Sequence, residues 1–551
     1  MVNGEIRRRR LMAAAGGAAC AGLVSMVPAS AQAAPGHAEE LVVATRYGRL
    51  RGEQTAAVRS FKGISYAAPP VGRNRFRAPQ PPQPWQGVRD AVTLGHPCVQ
   101  NNPDFPAWVD PERESEDCLY LNVWTPSRRK DSAEARPVMV WIHGGEFSYG
   151  SAGAPVYDGA HLAEVADVVV VSVNHRLNVF GYLWLGDAVP ELAEHANLGQ
   201  RDLVAALKWV RENIAGFDGD PRNVTVFGES GGGAKINALL ATPAARGLFH
   251  KAIVQSGSQL AVKTRDRANK VTAAAFAALG GGEFTVERLQ ALSSDELKQV
   301  ARTVEGEFPG LPFQPVVDGS FIPEQTWQGG APAGSRGIPM MIGTNSHETA
   351  VFLPGMTDQI DTDAELKQRL TTSGMAPALS DAEFDQLLTG YRSALPSATR
   401  LELLVAMTTD LWMWHSALLQ AERKESVPGP VYFYEFAWRT PCFGSSWAVH
   451  SGELPFVFGN LTYPTAWDGT DSDATRSADD PTGQRFVLAD QMMHAWGAFA
   501  RNGNPSTEGQ AWPRYNSHTR PSMVFDRGSS AVVRDRNAQR RLLIEGLPTV
   551  W

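Results

Sequence analysis

The chain has 551 residues, 43% of them hydrophobic and 20% charged, which provides a large core and excludes disorder of the whole chain. Its formal net charge of −7 becomes −10 without residues 1–33, which hold four Arg and one Glu. This acidic balance argues against nucleic acid as the main partner, because no basic excess is available to displace phosphate counterions.

The first 33 residues have the composition of an export signal. Four arginines, Arg7–Arg10, precede an apolar run rich in Ala and Gly, and Ala31-Gln32-Ala33 supplies a small-x-small cleavage pattern. A pair of arginines, then one residue, then the two apolar residues Leu11 and Met12 resemble a twin-arginine signal. We therefore expect a cleaved signal peptide over 1–33 and a secreted, extracellular protein without stable membrane association. An uncleaved membrane anchor and a lipoprotein attached through Cys20 are the alternatives.

Cysteine usage follows from that expectation, since disulfides persist in oxidising compartments. Without residues 1–33 the chain retains Cys98, Cys118 and Cys442. Three thiols cannot all pair internally, and Cys98 and Cys118 would close a short loop, so we expect a disulfide between them. Cys442 is then a free thiol, either a small buried side chain or, in the sharper interpretation, a catalytic one.

Continuous apolar runs recur along the chain and predict strands buried on both faces of a parallel sheet. They are Val138–Ile142, Val168–Val173, Val224–Phe227, Ala252–Val254, Met340–Ile342 and Val431–Tyr434. Between them lie segments with helical spacing, notably Leu198–Ile214 and Phe486–Phe499.

The alternation predicts an α/β fold with a large, mostly parallel central sheet and helices on both faces. Residues 355–430 are helical and polar in pattern, which indicates an insertion that covers a site above the sheet. No repeat or interdomain linker interrupts the chain, so we expect residues 34–551 to form one domain.

The strongest chemical signal is Gly228-Glu229-Ser230-Gly231-Gly232, directly after one predicted strand and before a helical segment. It is the Gly-x-Ser-x-Gly nucleophile elbow in its required context. Small neighbours let the chain turn sharply, and the turn presents the Ser230 hydroxyl at the positive end of the next helix. The pattern predicts Ser230 as a nucleophile.

A second glycine motif, His143-Gly144-Gly145-Glu146, follows another predicted strand. Glycines at such a position let backbone N–H groups face a cleft without obstruction by side chains. We predict an oxyanion hole formed by the amides of Gly145, Glu146 and Gly231. An ordinary tight turn is the alternative.

These motifs, together with Phe61–Pro70, Glu116–Trp124, Gly219–Thr225 and Gln255–Ser258, resemble the type-B carboxylesterases. That group includes the cholinesterases and the bacterial nitrobenzyl esterases. The resemblance covers nearly the whole mature chain. It implies an α/β-hydrolase fold with helical insertions over an active-site gorge, and a serine carboxylesterase that cleaves small-molecule esters through an acyl-Ser230 intermediate. It implies no metal and no organic cofactor, and leaves the oligomeric state and the natural ester open.

The resemblance also places the other two members of a catalytic triad. The family's acid lies in a Gly-x-Asn-x-x-Glu segment, which here ends at Glu348. The family's His stands three residues before a Glu that leads into Pro-Phe-Val-Phe-Gly, which here identifies His450. From the residues alone, Asp318 is the rival acid and His143 the rival base.

Further roles follow from the same resemblance. It implies a buried polar network of Glu229, Ser256 and Glu453 near the His, the ion pairs Arg75–Glu116 and Arg176–Asp202, and a disulfide loop closed by Cys98 and Cys118. It gives four candidate substrate-binding residues: Trp108, Glu229, Leu311 and Phe352. Leu311 would lie on the acyl side, and Trp108 would either stack on a cationic group or only pack its loop.

Two rival functions stay open. An amidase or a lactone hydrolase would use the same triad, and a catalytically silent adhesion module would use the same fold. Silent relatives lack the nucleophile or the His, whereas Ser230 and His450 are both present here.

Overall fold

A computed structural model of the chain describes residues 41–101, 113–127, 134–308, 310–463 and 472–550. The predicted signal peptide over 1–33 and the candidate Trp108 lie outside the described residues. All of the described residues fall within one compact unit that begins at Leu41. None of the helices in this part of the chain combines the length and the apolar character needed to cross a bilayer.

Strands form a central sheet and two small accessory sheets within the described residues. Their bounds are β1 (Val42–Ala44), β2 (Arg49–Arg51), β3 (Glu53–Gln54), β4 (Val58–Ser65), β5 (Val88–Asp90), β6 (Tyr120–Pro126), β7 (Arg136–Ile142), β8 (Val169–Val173), β9 (Gly219–Glu229), β10 (Lys251–Gln255), β11 (Met340–Asn345), β12 (Val431–Phe436), β13 (Thr440–Cys442), β14 (Ser445–Trp447), β15 (Pro521–Asp526) and β16 (Ser529–Arg534).

Helices alternate with the central strands and also form the long insertion after β11. Their bounds are α1 (Ala160–Ala166), α2 (Asn178–Tyr182), α3 (Leu198–Asn213), α4 (Gly231–Leu240), α5 (Arg265–Ala278), α6 (Val286–Ala291), α7 (Ser294–Glu307), α8 (Asp363–Thr372), α9 (Asp381–Ala394), α10 (Arg400–Thr409), α11 (His415–Glu425), α12 (Leu454–Phe458), α13 (Asp473–Asp479), α14 (Gln484–Asn502) and α15 (Ala538–Ile544). A π-helical turn, Asp410–Trp414, joins α10 to α11.

The central sheet has eleven strands in the order β16-β15-β12-β11-β10-β9-β7-β8-β6-β4-β3. Pairing is parallel from β8 through β15 and antiparallel at both edges. All six predicted strands are present within this sheet. The predicted α/β class with a large, mostly parallel sheet is therefore confirmed.

Burial on both faces explains why the apolar runs predicted these strands. In β7, Val138, Val140 and Ile142 join the core on one face, whereas Met139 and Trp141 join the core on the other. Helix α3 packs its apolar side into the first core and α14 packs into the second. A strand covered on both sides has no solvent-facing row, so its sequence is apolar throughout.

The Cys98–Cys118 disulfide is not formed in the structure, which corrects that prediction. Both residues are buried free thiols, and a hydrogen bond joins them. The Cys98 sulfur also accepts the N–H of Leu177 at 3.4 Å. That hydrogen bond and burial raise the pKa of Cys118 well above its usual range. Cys442 is buried, as expected of a small apolar side chain.

Two buried ion pairs brace the chain beside the sheet, and both are the predicted ones. Arg75 contacts Glu116 at 2.6 Å. Arg176 holds Asp202 in a fork of 2.6 and 2.8 Å, with side chains only 3% and 0% exposed. The backbone N–H of Arg176 donates to the same carboxylate at 3.0 Å, so Asp202 ties α3 to the segment after β8.

We expect Asp202→Asn to lower the free energy of unfolding by about 3–5 kcal/mol, because it leaves the Arg176 charge buried without its partner. Asp90→Asn is the matched control, since Asp90 pairs with Arg51 at 3.1 Å with side chains 64% and 54% exposed. That change should cost less than about 1 kcal/mol. Urea unfolding of both variants measures the difference, and equal losses would contradict the structural role of Asp202.

Candidate active site

Three neighbouring parallel strands end at one edge of the sheet and bring the candidate residues together. β9 ends at Glu229, β10 at Gln255 and β11 at Asn345. Glu229 is in register with Gln255, and Gln255 with Gly343, so the chain leaves the sheet at nearly the same level three times. Ser230 follows the first of these strands directly, and Glu348 follows the third after two residues.

Ser230 occupies the strained turn that the elbow motif predicts. Its φ of 54° and ψ of −124° are unusual for any residue with a side chain. The turn is held by the Ser230 N–H, which donates to the carbonyl of Gln255 at 2.8 Å. It is permitted by Gly232, where an added Cβ would lie 2.0 Å from the carbonyl oxygen of Ile142. Helix α4 begins at the next residue and directs its N-terminus at Ser230.

The glycine loop after β7 packs directly against this elbow. A Cβ added at Gly231 would lie 2.0 Å from the carbonyl oxygen of Glu146, so the two segments touch through their backbones. Gly145 and Glu146 both have positive φ values, 79° and 52°. Within the described residues, neither amide donates to a protein acceptor. The loop therefore offers two unused N–H donors beside the first amide of α4.

Glu348 is fully buried and orients His450. Its Oε2 lies 2.7 Å from Nδ1 of His450. Its Oε1 accepts hydrogen bonds from the Ser256 hydroxyl at 2.6 Å and from the Asn345 N–H at 2.7 Å. His450 lies in the segment after β14, three residues past Trp447. A carboxylate held by three donors fixes the plane and the tautomer of the imidazole.

Two further carboxylates lie in the same buried layer. Glu229 Oε1 lies 3.1 Å from Nε2 of His450 and accepts the Ser451 hydroxyl at 2.8 Å. Glu453 accepts the side-chain amides of Gln255 at 3.0 Å and Asn345 at 2.7 Å. The structure thus brings Glu229, Ser256 and Glu453 into one network with Glu348 and His450, as the resemblance implied.

Burial and like charges set the proton affinities of this layer. Burial, together with Glu453 and Glu348, raises the pKa of Glu229. Burial opposes protonation of His450, but Glu229 and Glu348 outweigh it and raise the pKa of the imidazole. Glu229 and His450 lie 3.1 Å apart, so their titrations are coupled. The network favours an imidazolium at residue 450 when a proton arrives.

The elbow opens into a cavity of about 1020 Å³. Ser230, His450, Gly145 and Glu146 line it, and so do three of the candidate substrate-binding residues, Glu229, Leu311 and Phe352. Phe352 packs its ring 5.0 Å from the imidazole of His450. The fourth candidate, Trp108, lies outside the described residues.

Sequence reasoning missed several residues of the cavity wall. They are Lys263, Arg267, Met375, Trp412, Met413 and Phe443. Trp412 and Met413 belong to the π-helical turn, and Trp412 packs edge-on against Phe352 at 5.4 Å. Asp410 anchors this turn, accepting the Tyr391 hydroxyl at 2.8 Å and contacting Arg540 at 3.4 Å. The signal in the sequence that could have indicated this turn was its dense run of large apolar residues within a helix.

The rival acid and base occupy other environments. One oxygen of Asp318 accepts three successive backbone N–H groups, from Ser320 to Ile322, which is a turn. His143 is buried and stacked on His175 at 4.5 Å. Burial and the nearby Lys235 lower the pKa of His143 to about 3, so it is neutral behind the glycine loop.

Comparison with known proteins gives a consistent result. A family model described as the carboxylesterase family matches residues 39–542. A para-nitrobenzyl esterase of Bacillus subtilis is 40% identical over 493 residues, 88% of this chain and 94% of that protein. A human cocaine esterase is 33% identical over 494 residues, 84% of this chain and 82% of that protein.

Solved structures agree. A PNB esterase matches with a TM-score of 0.77 at 36% identity, covering 92% of this chain and 99% of that one. A carboxylesterase of Geobacillus stearothermophilus gives a TM-score of 0.77 at 36% identity over 91% and 99% of the two chains. The expected α/β-hydrolase fold is confirmed.

Glu146 gives a prediction about pH. Burial and the neighbouring Glu305 raise its pKa from 4.5 to about 7, against the opposing effect of Lys235. Between these values the folded protein holds a proton that the unfolded chain has released, so stability falls as pH rises. We expect Glu146→Gln to reduce the loss of unfolding free energy between about pH 5 and about pH 8 by roughly 1–2 kcal/mol.

Denaturant unfolding at several pH values measures this effect. Glu324→Gln is the matched control, because Glu324 is exposed and lies outside the cavity wall. A Glu146→Gln variant with the pH slope of the unaltered protein would show that this carboxyl does not titrate in the expected range.

Proposed function

The chain belongs to the carboxylesterase family and is a carboxylic-ester hydrolase of the serine type, and we propose that Ser230 is the nucleophile in its reaction. The observation that carries the proposal is the convergence of the strained Ser230 turn, the His450–Glu348 pair and two unused loop amides on one cavity. Each of these groups has a distinct part in acyl transfer.

His450 acts as the general base. It takes the Ser230 proton while the hydroxyl oxygen attacks the ester carbonyl, and it then returns that proton to the leaving alkoxide, which departs as the alcohol. Water loses a proton to the same imidazole and attacks the carbonyl of the acyl-Ser230 ester. The imidazolium then returns this proton to the departing Ser230 oxygen, which releases the carboxylic acid and restores the serine hydroxyl. Protons balance over the cycle, and no metal or organic cofactor takes part.

The carboxylates stabilise the imidazolium that forms in each half-reaction. Glu348 contacts Nδ1 at 2.7 Å and sets the tautomer in which Nε2 is the nitrogen that receives the proton. Glu229 lies 3.1 Å from Nε2 and adds a second negative group on that side. Because the layer is buried, these interactions are stronger than they would be in water.

The developing oxyanion is stabilised by the amides of Gly145, Glu146 and Gly231. A side chain at residue 146 does not remove its backbone donor, so the unusual Glu at this position is compatible with the role. Loss of one such donor typically costs about a hundred- to a thousandfold in rate.

The cavity wall favours esters with an apolar portion. Leu311, Phe352, Met375, Trp412 and Met413 contribute apolar surface beside Ser230. The named relatives include a para-nitrobenzyl esterase and a cocaine esterase, which both point to small-molecule esters with aromatic groups. An aryl ester of a medium-length acid is therefore a suitable assay substrate.

Ser230→Ala should leave a folded protein whose esterase turnover is reduced by several orders of magnitude, because only oxyanion stabilisation and binding remain. Hydrolysis of a para-nitrophenyl ester measures the rate, and labelling with a fluorophosphonate followed by peptide mapping locates the nucleophile. Ser426→Ala, an exposed serine remote from the cavity, is the control. Comparable turnover in Ser230→Ala, or a label on another residue, would overturn the assignment.

Export through the twin-arginine route is part of the same proposal and rests on residues 1–33. The double change Arg8→Lys and Arg9→Lys preserves charge but removes the paired arginines of the signal. We expect esterase activity to be lost from the medium and retained in the cells. Arg7→Lys is the control that should leave secretion intact. Unchanged extracellular activity in the double variant would contradict the route.

A further inference from the structure

Two cations without a carboxylate partner lie side by side on one wall of the cavity. Both line it: Lys263 directly precedes Thr264, the N-cap of α5, and Arg267 lies in the first turn of that helix. Within the described residues, neither forms an ion pair. The nearest carboxylate in sequence, Asp266, is exposed and is not part of the cavity wall. Such a pair repels itself unless an anion is present.

Lys263 is held rigidly in this wall. Only 3% of the residue is exposed, and its ammonium donates to the carbonyl of Pro312. Both backbone polar groups of Lys263 form hydrogen bonds of 2.9 Å: its N–H donates to the carbonyl of Pro315, and its carbonyl accepts the N–H of Val317. Burial and the neighbouring Arg267 lower the pKa of Lys263 to about 7, which is the expected response of a cation that lacks an opposing charge.

Arg267 is exposed at the same wall, and its backbone is fixed by the N-cap of α5, where its N–H donates to the Thr264 hydroxyl. One guanidinium nitrogen would lie 3.7 Å from a Cβ added at Gly310. Arg265, by contrast, is engaged elsewhere, because it stacks over Trp184 and donates to the carbonyl of Asp318. Arg267 therefore keeps its hydrogen-bonding fork available to a ligand.

Four neutral amide side chains also line the cavity, beside its apolar surface. Gln259, Gln314, Gln325 and Gln328 line the same cavity. The acidic lining residues are Glu146 and Glu229, which belong to the oxyanion loop and the elbow. The cavity is consequently polarised, with carboxyl groups at the reacting end and cations on another wall.

We propose that the enzyme takes esters whose acyl chain carries a second, ionised carboxyl group, and that Arg267 and Lys263 bind this carboxylate. The inference rests on the proposed function and specifies its substrate class. The acyl side follows from the place that the resemblance gives Leu311, because Lys263 contacts Pro312 and Arg267 abuts Gly310, the two neighbours of Leu311. A guanidinium fork suits the planar carboxylate.

The test compares two substrates that differ only in that charge. One is the mono-para-nitrophenyl ester of octanedioic acid, and the other is the same molecule with its free carboxyl group methylated. The unaltered protein should have the higher kcat/KM on the charged ester. Arg267→Gln should lower that value by about tenfold, mainly through KM, and change the value for the neutral ester by less than about twofold.

Two further variants sharpen the result. Arg267→Glu should invert the preference toward the neutral ester, because it places a like charge opposite the substrate carboxylate. Lys270→Gln is the matched control, since Lys270 is an exposed cation on the same helix and does not line the cavity. The preference of the unaltered protein should also weaken as salt rises, because Arg267 is exposed.

The outcomes separate this inference from the proposed function. If the neutral ester is hydrolysed and Arg267→Gln affects both esters equally or neither, the anion site is wrong while the esterase assignment stands. If a carboxylate on the alcohol portion, but not on the acyl portion, is favoured, the proposed substrate class is also wrong. If the unaltered protein hydrolyses neither ester, the proposed function fails and this inference fails with it.

Discussion

The hydrogen bonds to the Glu348 carboxylate are the constraint on which the site depends. A carboxylate removed from water must find donors or lose its charge. Here its donors come from three places: Ser256 after β10, Asn345 at the end of β11, and His450 after β14. All of these hydrogen bonds form only if the adjacent strands β10 and β11 end at the same level. They also require the long segment after β12 to return over the edge of the sheet. One buried charge therefore couples strand register to the position of the imidazole.

The same layer holds more negative charge than a simple triad requires. Glu229, Glu348 and Glu453 are all 0% exposed. Glu453 accepts hydrogen bonds from Gln255 and Asn345, and Glu229 accepts one from Ser451. Five of the six carboxylate oxygens accept a hydrogen bond, and only Glu229 Oε2 has no donor within the described residues. A buried network that is satisfied to this extent rigidifies its surroundings. The compensation is electrostatic preorganisation: the negative groups are in place before the imidazolium forms, so little reorganisation accompanies the proton transfer.

Local sequence was sufficient where local physics decides the structure. β7 to β12 were predictable because burial on both faces demands continuous apolar runs, and the Ser230 turn was predictable because its glycines are required by close backbone approach. β6 escaped this criterion, since Asn122 and Thr125 interrupt its apolar pattern although both are buried. Asn122 is satisfied by the Ser172 hydroxyl, which it contacts at 3.0 Å, and by the Gly63 N–H at 2.9 Å.

Other features depend on contacts between distant segments and left no local pattern. His450 could be identified only by resemblance, because a lone His in a loop has no distinguishing periodicity. The Cys98–Cys118 prediction rested on the export signal, loop closure and the resemblance, whereas in the fold the two residues are buried free thiols joined by a hydrogen bond. The cavity wall was the hardest part to predict, since Trp412 reaches it through a π-helical turn. Asp410 belongs to this turn and anchors it by contacts with Tyr391 and Arg540.

This division between sheet edge and wall has a physical origin. The reacting groups stand at the ends of paired strands, where register fixes them and a small shift would break several hydrogen bonds at once. The wall is built from α5, the loop before Leu311 and the helical insertion, which pack on the sheet without contributing to its pairing. Charged residues of the wall can therefore be substituted without disturbing the strand register that positions Ser230 and His450. Lys263 and Arg267 occupy such wall positions, so in the proposed function the wall selects the charge of the substrate and the sheet edge carries out the chemistry.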